Sequence, residues 1–320
     1  MIVNKHSVPV AAGGAVWKVA AQDLRHDLDL TGAELSYLVD LAEKVKRQPP
    51  RYATALSGQY LSLLFEKPSL RTRLTFELAI KQLGGDCVLC NGPIADREPL
   101  KDVARNLDRW TQGIVARVFS QKTIEDLARW SRVPVVNALS DLYHPCQALA
   151  DMLTLKEKFG RLAGLKLAFV GDGNNVAHSL MLDAARLGMS FAIATPPDYR
   201  PREEIVADAR AFAAESGAKV AVGGDAKSAV AGAHAVYTDV WASMGQEKEV
   251  ETRRRIFRPY QVNAQLMASA REDAIFLHCL PARRDEEVAD EVIESPQSAV
   301  FDQAENRLHT QKALLLMLLG

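Results

Sequence analysis

Cysteine is scarce in this chain of 320 residues: four, at Cys87, Cys90, Cys146 and Cys279. They are too few and too scattered for a disulfide framework. Cys87 and Cys90 form a C-x-x-C, yet no second pair or nearby histidine completes a zinc site. In the apolar run after Gly84-Gly85 they read as a buried structural pair. No stretch approaches the ~20 apolar residues of a membrane span. Residues 1–14 match neither a secretory nor a transit pattern, so a cytoplasmic protein is expected. An excess of one charge is also missing. Lys and Arg number 39 and Asp and Glu 40, a net charge of −1, which excludes a protein-wide polyanion-binding surface. The basic run Arg253-Arg254-Arg255 reads as a solvated helix face. Neither a nucleic acid nor a membrane is expected as a partner.

What is there is ordinary for a soluble globular protein: 48% apolar and 25% charged residues. The length favours two domains of roughly 150 residues each. Helical and strand patterns alternate throughout, which predicts an α/β protein whose two domains each hold a central parallel sheet flanked by helices. Strands are predicted at 60–65, 114–119, 133–138, 165–170, 191–195, 235–239 and 274–278. Helices are predicted from Ser69 to Gly84, from Pro145 to about Lys158, over 176–187, and over 306–319. The predicted domains are 1–150, completed by the leucine-rich last helix (306–320), and 151–305.

Sites in open α/β sheets lie beyond the carboxyl ends of strands, so those ends are the places to search. Ser69-Leu70-Arg71-Thr72-Arg73 follows the first strand. Ser69 is placed to cap a helix whose first turn carries two arginines. Positive charge opposes the dipole at a helix start, so the pattern calls for an anion such as phosphate. Arg117 stands inside an apolar strand and must pair or face a ligand. His144-Pro145-Cys146-Gln147 opens a helix with His144 and Gln147 on one face. Gly171-Asp172-Gly173-Asn174-Asn175 imitates a dinucleotide loop, but Val176 replaces its third glycine and the next strand end lacks the ribose-binding acid. Asn174 and Asn175 read instead as polar arms over the sheet edge. Asp239 could grip an amine, with Ser243-Met244-Gly245 as a flap beside it. Cys279, in His278-Cys279-Leu280-Pro281, is reachable as a nucleophile, an acid–base group or packing. Arg307, expected to open the last helix, could return a further cation. This inventory of anion donors, one acid and one thiol suits transfer of an acyl-like group from a phosphate donor to an amine.

These motifs, in this order, resemble the aspartate/ornithine carbamoyltransferase family, over about residues 25–320. Ser-Met-Gly after Asp239 is similar to the signature of its ornithine enzymes. The resemblance implies two α/β domains joined by two interdomain helices, a homotrimer or a multiple of trimers, and neither metal nor organic cofactor. It implies carbamoyl phosphate on Ser69, Leu70, Arg71, Thr72, Arg117, His144, Gln147, Cys279, Leu280 and Arg307. L-Ornithine would meet Asn175, Asp239, Ser243 and Met244, giving L-citrulline and phosphate, a step of arginine biosynthesis or the urea cycle. Arg117, His144, Gln147, Cys279 and Asp239 are the expected catalytic groups, with Cys279 or Asp239 taking the amine proton. Two positions depart from the family: Leu70 replaces its usual threonine, and Pro93 stands where many bacterial members carry glutamine. Ser-Leu-Arg-Thr resembles the acetylornithine and succinylornithine enzymes. Putrescine is a further alternative acceptor. Outside the family, the alternatives are a nicotinamide-dependent oxidoreductase and a silent phosphate-binding regulator.

Overall fold

The computed structural model describes residues 7–9, 15–242 and 247–320. The chain divides into two units, one holding residues 1–153 and 306–320 and the other 154–305.

The first unit begins with a two-stranded antiparallel ribbon, β1 (Ser7–Pro9) and β2 (Ala15–Trp17). Helix α1 (Gly32–Arg47) follows, started by a capping box in which Thr31 and Glu34 satisfy each other's backbone amides. Then come β3 (Tyr60–Phe65), α2 (Leu70–Gln82), β4 (Asp86–Asn91), α3 (Leu100–Trp110), β5 (Gly113–Arg117), α4 (Gln121–Trp130) and β6 (Val135–Leu139). The sheet is parallel with order β4-β3-β5-β6. β5 is buried along its whole length, as expected of a central parallel strand covered on both faces. Leu64, Ala116, Ala104 of α3 and Ile124 and Leu127 of α4 belong to one apolar cluster.

Gly84 ends the α2 region at φ +91°, where a Cβ would sit 2.8 Å from Ser57 Oγ. The expectation for Cys87 and Cys90 is corrected here: Cys87 is half-buried and Cys90 exposed, because β4 is the edge strand of its sheet. Helix α5 (Pro145–Phe159) begins in this unit and runs into the second.

The second unit holds β7 (Lys166–Val170), α6 (Asn175–Arg186), β8 (Ser190–Ala194), α7 (Glu203–Ser216), β9 (Val220–Gly223), α8 (Ala226–Val230) and β10 (Ala235–Thr238). After these come α9 (Val250–Phe257), α10 (Ala264–Met267), β11 (Ile275–His278) and α11 (Asp290–Ile293). Its sheet is also parallel, with order β11-β10-β7-β8-β9. Ala168, Val170, Val236, Phe276, Val288 and Ile293 share its core. Helix α12 (Val300–Leu319) returns the chain to the first unit, where residues Ala313 to Leu318 are buried. It starts six residues before the predicted position, so Arg307 lies two turns inside it. No helix among the described residues is long and apolar enough to cross a membrane.

In each sheet the chain builds outward in one direction and then returns to build in the other. The reversal falls between β3 and β5 in the first sheet and between β7 and β10 in the second. At such a switch point the loops beyond the two strands diverge to opposite faces and open a crevice. Ser69 to Thr72, Asn175 and Asp239 lie beyond three of these strands, and Arg117 ends the fourth.

Candidate active site

In the first unit the β3–α2 connection carries the anion motif. Ser69 adopts extended backbone and caps α2, its Oγ accepting from Thr72 N at 3.3 Å. The amides of Leu70 and Arg71 have no intrahelical acceptor, as at any helix start. Leu70 is 72% exposed, so its side chain contributes little local packing. The neighbouring loop beyond β5 is tied to this one: Glu66 N donates to Arg117 O at 3.0 Å, and Phe119 N donates to Glu66 Oε2 at 3.0 Å. Arg117, at the end of β5, is buried. Arg307 is also buried, and its Nη2 donates to Thr72 Oγ1 at 2.7 Å, leaving the Thr72 hydroxyl proton to be given elsewhere.

His144 and Gln147 open α5, and both are buried. Burial, then the nearby charges of Arg307 and Arg117, hold His144 well below the usual imidazole range, so it is neutral at pH 7. Gln147 Nε2 donates to Asp151 Oδ1 at 2.9 Å, while its Oε1 is buried with no donor among the described residues. That oxygen can accept an N–H from a ligand. Cys146 between them is buried, with its thiol pushed up to about 12 by desolvation, and is no nucleophile. This cluster offers neutral and cationic donors around an open helix start.

In the second unit the carboxylate of Asp239, beyond β10, is buried and held by three donors. Its Oδ1 accepts from Cys279 Sγ at 3.0 Å and Val240 N at 2.8 Å, and its Oδ2 accepts from Asn174 Nδ2 at 2.7 Å. Asn174 is therefore not a loose arm. Its oxygen caps α6 by accepting from Val176 N and Ala177 N, and its amide aims Asp239. Asn175 is the first residue of α6 and half-buried. Ser243 and Met244 lie outside the described residues.

Asp239, His278 and Cys279 each present a ligand atom within 4.8 Å of the others. The imidazole, however, is occupied: Leu280 N donates to His278 Nδ1 at 2.9 Å and Nε2 meets Glu287 Oε1 at 3.0 Å. With no ring lone pair to spare, His278 orients the Cys279–Leu280 turn instead of binding a cation. A nucleotide pyrophosphate fits no better at Gly173. Its amide donates to Tyr199 O at 2.8 Å, and a Cβ there would lie 2.2 Å from Pro201 N, so this protein's own backbone fills that approach.

Arg253 is the clearest departure from the sequence reading. It is buried, not solvated: its Nη1 donates to Asp172 Oδ2 at 2.7 Å and to Trp241 O at 2.9 Å, and its Nε donates to Glu249 Oε2 at 2.8 Å. Its guanidinium also stacks over Tyr199. Desolvation raises Asp172 to about 6 despite this partner. A carboxyl raised in the folded state stabilises the fold most when protonated, and that contribution is lost as pH rises through about 6. The pair ties the β7–α6 loop to the chain just past Asp239. Partners 81 residues apart leave no local signature.

Two family models match the chain. That described as the carbamoyl-P binding domain of aspartate/ornithine carbamoyltransferase matches residues 22–157, and that described as the Asp/Orn binding domain matches 163–318. An ornithine carbamoyltransferase from Thermus thermophilus is 53% identical over 298 residues, covering 91% of this chain and 96% of that protein. The solved ornithine carbamoyltransferase from Pyrococcus furiosus has a TM-score of 0.92 at 47% identity, covering 95% of this chain and 99% of that one. A solved acetylornithine transcarbamylase complexed with acetylcitrulline is 34% identical, with a TM-score of 0.83 and coverage of 92% and 98%. With both domain models matched in order over nearly its whole length, the chain belongs to the aspartate/ornithine carbamoyltransferase family.

Proposed function

We propose that this protein transfers the carbamoyl group of carbamoyl phosphate to the δ-amine of L-ornithine, giving L-citrulline and phosphate. The observation that carries it is the division of chemistry: cationic donors around the α2 start in one unit, and the hydrogen-bonded Asp239–Cys279–Asn174 cluster in the other. Relatives named for ornithine reach 53% identity, against 34% for the acetylornithine enzyme, which favours unmodified ornithine as acceptor.

In this reading Ser69, Leu70, Arg71 and Thr72, with Arg307, hold the phosphate through amides and guanidinium groups. Thr72, Arg117 and neutral His144 polarise the carbamoyl oxygen as negative charge develops on it. Gln147 Oε1 and the Leu280 carbonyl accept from the carbamoyl amide and fix its orientation. The amine nitrogen attacks the carbamoyl carbon, a C–N bond forms, and the C–O bond to phosphate breaks with its electron pair leaving on phosphate. An alkyl amine with a pKa near 10.4 costs about 4.6 kcal/mol to deprotonate at pH 7. In this reading Asp239, beside Cys279, meets the ammonium, and these two groups provide the path for its proton. Asn175, Ser243 and Met244 complete ornithine recognition.

The same reading makes the protein a cytoplasmic homotrimer or a multiple of trimers, acting without cofactor. Four free cysteines suit a reducing compartment. Leu70, Leu74 and Leu78 form an exposed stripe at helical spacing on α2, and Val88 adds 58% exposure on β4. This gives a second copy an apolar face to cover.

Carbamoyl phosphate labelled with ¹³C at the carbamoyl carbon tests the reaction. The label is expected in the ureido carbon of citrulline only when ornithine is present. Absence of labelled citrulline would refute the proposal. A second measurement concerns Leu70. A helix-start amide serves phosphate whatever its side chain, so Leu70→Thr can add one hydroxyl contact only. A hydrogen bond to a charged acceptor contributes up to ~3 kcal/mol, so carbamoyl phosphate is expected to bind at most about a hundredfold tighter. The preference for ornithine over acetylornithine should not move. A reversal would assign Leu70 to acceptor recognition.

A further inference from the structure

His144 is delivered by a turn of residues 140–143 between β6 and α5, and that turn is built on a buried polar hub. Ser140 is fully buried. Its Oγ accepts from Leu142 N at 3.3 Å and Tyr143 N at 3.1 Å, and Ser140 N donates to Tyr143 O at 3.0 Å. The same hydroxyl donates to Gln121 Oε1 at 2.6 Å. Gln121, the first residue of α4 and also buried, is committed on every side. Its Oε1 accepts from Asn137 Nδ2 at 3.1 Å, its Nε2 donates to Arg25 O at 3.2 Å, and its backbone amide donates to Asp141 Oδ1 at 2.7 Å. Asn137 Nδ2 in turn reaches Arg25 O at 2.8 Å and Ser140 Oγ at 3.3 Å.

A buried neutral network of this kind costs desolvation at every atom and is rigid when satisfied. A β6–α5 connection needs only a few turn residues with solvated amides. Here two side chains, from β6 and α4, and two backbone amides of the turn converge on one hydroxyl, four residues before His144. The consequence falls on where the imidazole sits, and a polarising donor is sensitive to shifts of ~1 Å.

We infer that Ser140 and Gln121 are positioning residues for His144, acting through the 140–143 turn to hold the imidazole beside Arg117 and Arg307 and away from water. The catalytic consequence rests on the carbamoyl transfer proposed above; the effect on the imidazole does not. The charged groups facing His144 are Arg117 from β5 and Arg307 from α12, and with burial they keep the ring neutral. Ser140→Ala leaves two turn amides without their acceptor and removes a donor from Gln121. Water then reaches the ring, and its titration midpoint should rise toward the ordinary value near 6.5.

The test follows histidine Cε1–H signals by NMR across pH in the intact protein, with the His144 resonance assigned from its absence in His144→Asn. In the parent protein His144 should stay neutral at pH values where exposed imidazoles titrate. In Ser140→Ala its midpoint should move up, and in Ser140→Thr, which keeps the hydroxyl, it should remain near the parent value. In steady-state assays Ser140→Ala should lose about ten- to a hundredfold in kcat while its affinity for carbamoyl phosphate changes little. Gln121→Met provides a second route to the same shift should Ser140→Ala fold poorly. An unmoved His144 titration in a folded variant of either residue overturns the inference, whatever reaction the protein catalyses. A titration that moves with no activity in the parent protein would leave the positioning intact and refute the proposed function instead.

Discussion

Arg71→Ala is expected to weaken carbamoyl phosphate binding by roughly two to four decades and bring turnover to background, while thermal unfolding stays within a few degrees of the parent. Arg71 is the second residue of α2 and half-buried. A cation there opposes the helix dipole at a cost of about 0.3–1 kcal/mol, so its removal does not weaken the helix. What is lost, on the proposed assignment, is a guanidinium fork matched to phosphate. Two charge-assisted hydrogen bonds at ~1.5–3 kcal/mol each give the stated range. Calorimetry with carbamoyl phosphate alone measures it directly. Undiminished affinity in a folded variant would remove Arg71 from the donor site.

Asp239→Asn is the counterpart on the acceptor side. The substitution is nearly isosteric, and its amide oxygen can still accept from Cys279 and Val240. Its nitrogen, however, would face Asn174 Nδ2, now 2.7 Å from a carboxylate oxygen, as donor against donor. The change also removes the negative charge proposed to meet the ornithine ammonium. Loss of a positioned acid–base group costs typically about 10²–10⁴ in rate, and kcat/KM for ornithine is expected to fall within that span. Carbamoyl phosphate affinity should hold, because the donors assigned to its phosphate lie in the other unit. If kcat/KM stays within about tenfold of the parent, Asp239 serves the structure of the turn and not the amine.

The parts of the fold and of the candidate site that were legible in the sequence are those written in contiguous residues. Ser69 through Arg73 combine a cap, a helix start and two cations in one turn, and local physics suffices to mark them. Strand β3 and helix α5 were likewise marked by a short apolar run and by proline at a first helical position. The positions that escaped depend on what the chain brings together across distance. Arg253 looks like part of a basic surface run until Asp172 and Tyr199 are placed against it. The exposure of Cys90 follows from strand order, because β4 pairs only on its β3 side. Asn174 resembles its neighbour Asn175 in sequence, yet only the first caps α6 and holds Asp239. Gln121, Asn137 and Ser140 are neutral, and nothing in hydrophobic periodicity distinguishes a buried polar hub from a solvated loop. Arg307 was displaced by two turns because the leucine-rich end of α12 dominates the pattern over its polar beginning.

The acceptor decides the central claim, and one measurement addresses it. With carbamoyl phosphate saturating, kcat/KM is determined for ornithine, acetylornithine, succinylornithine, putrescine and aspartate. The account predicts the largest value for ornithine, with citrulline and phosphate formed in equal amounts. A larger kcat/KM for any other acceptor would contradict it.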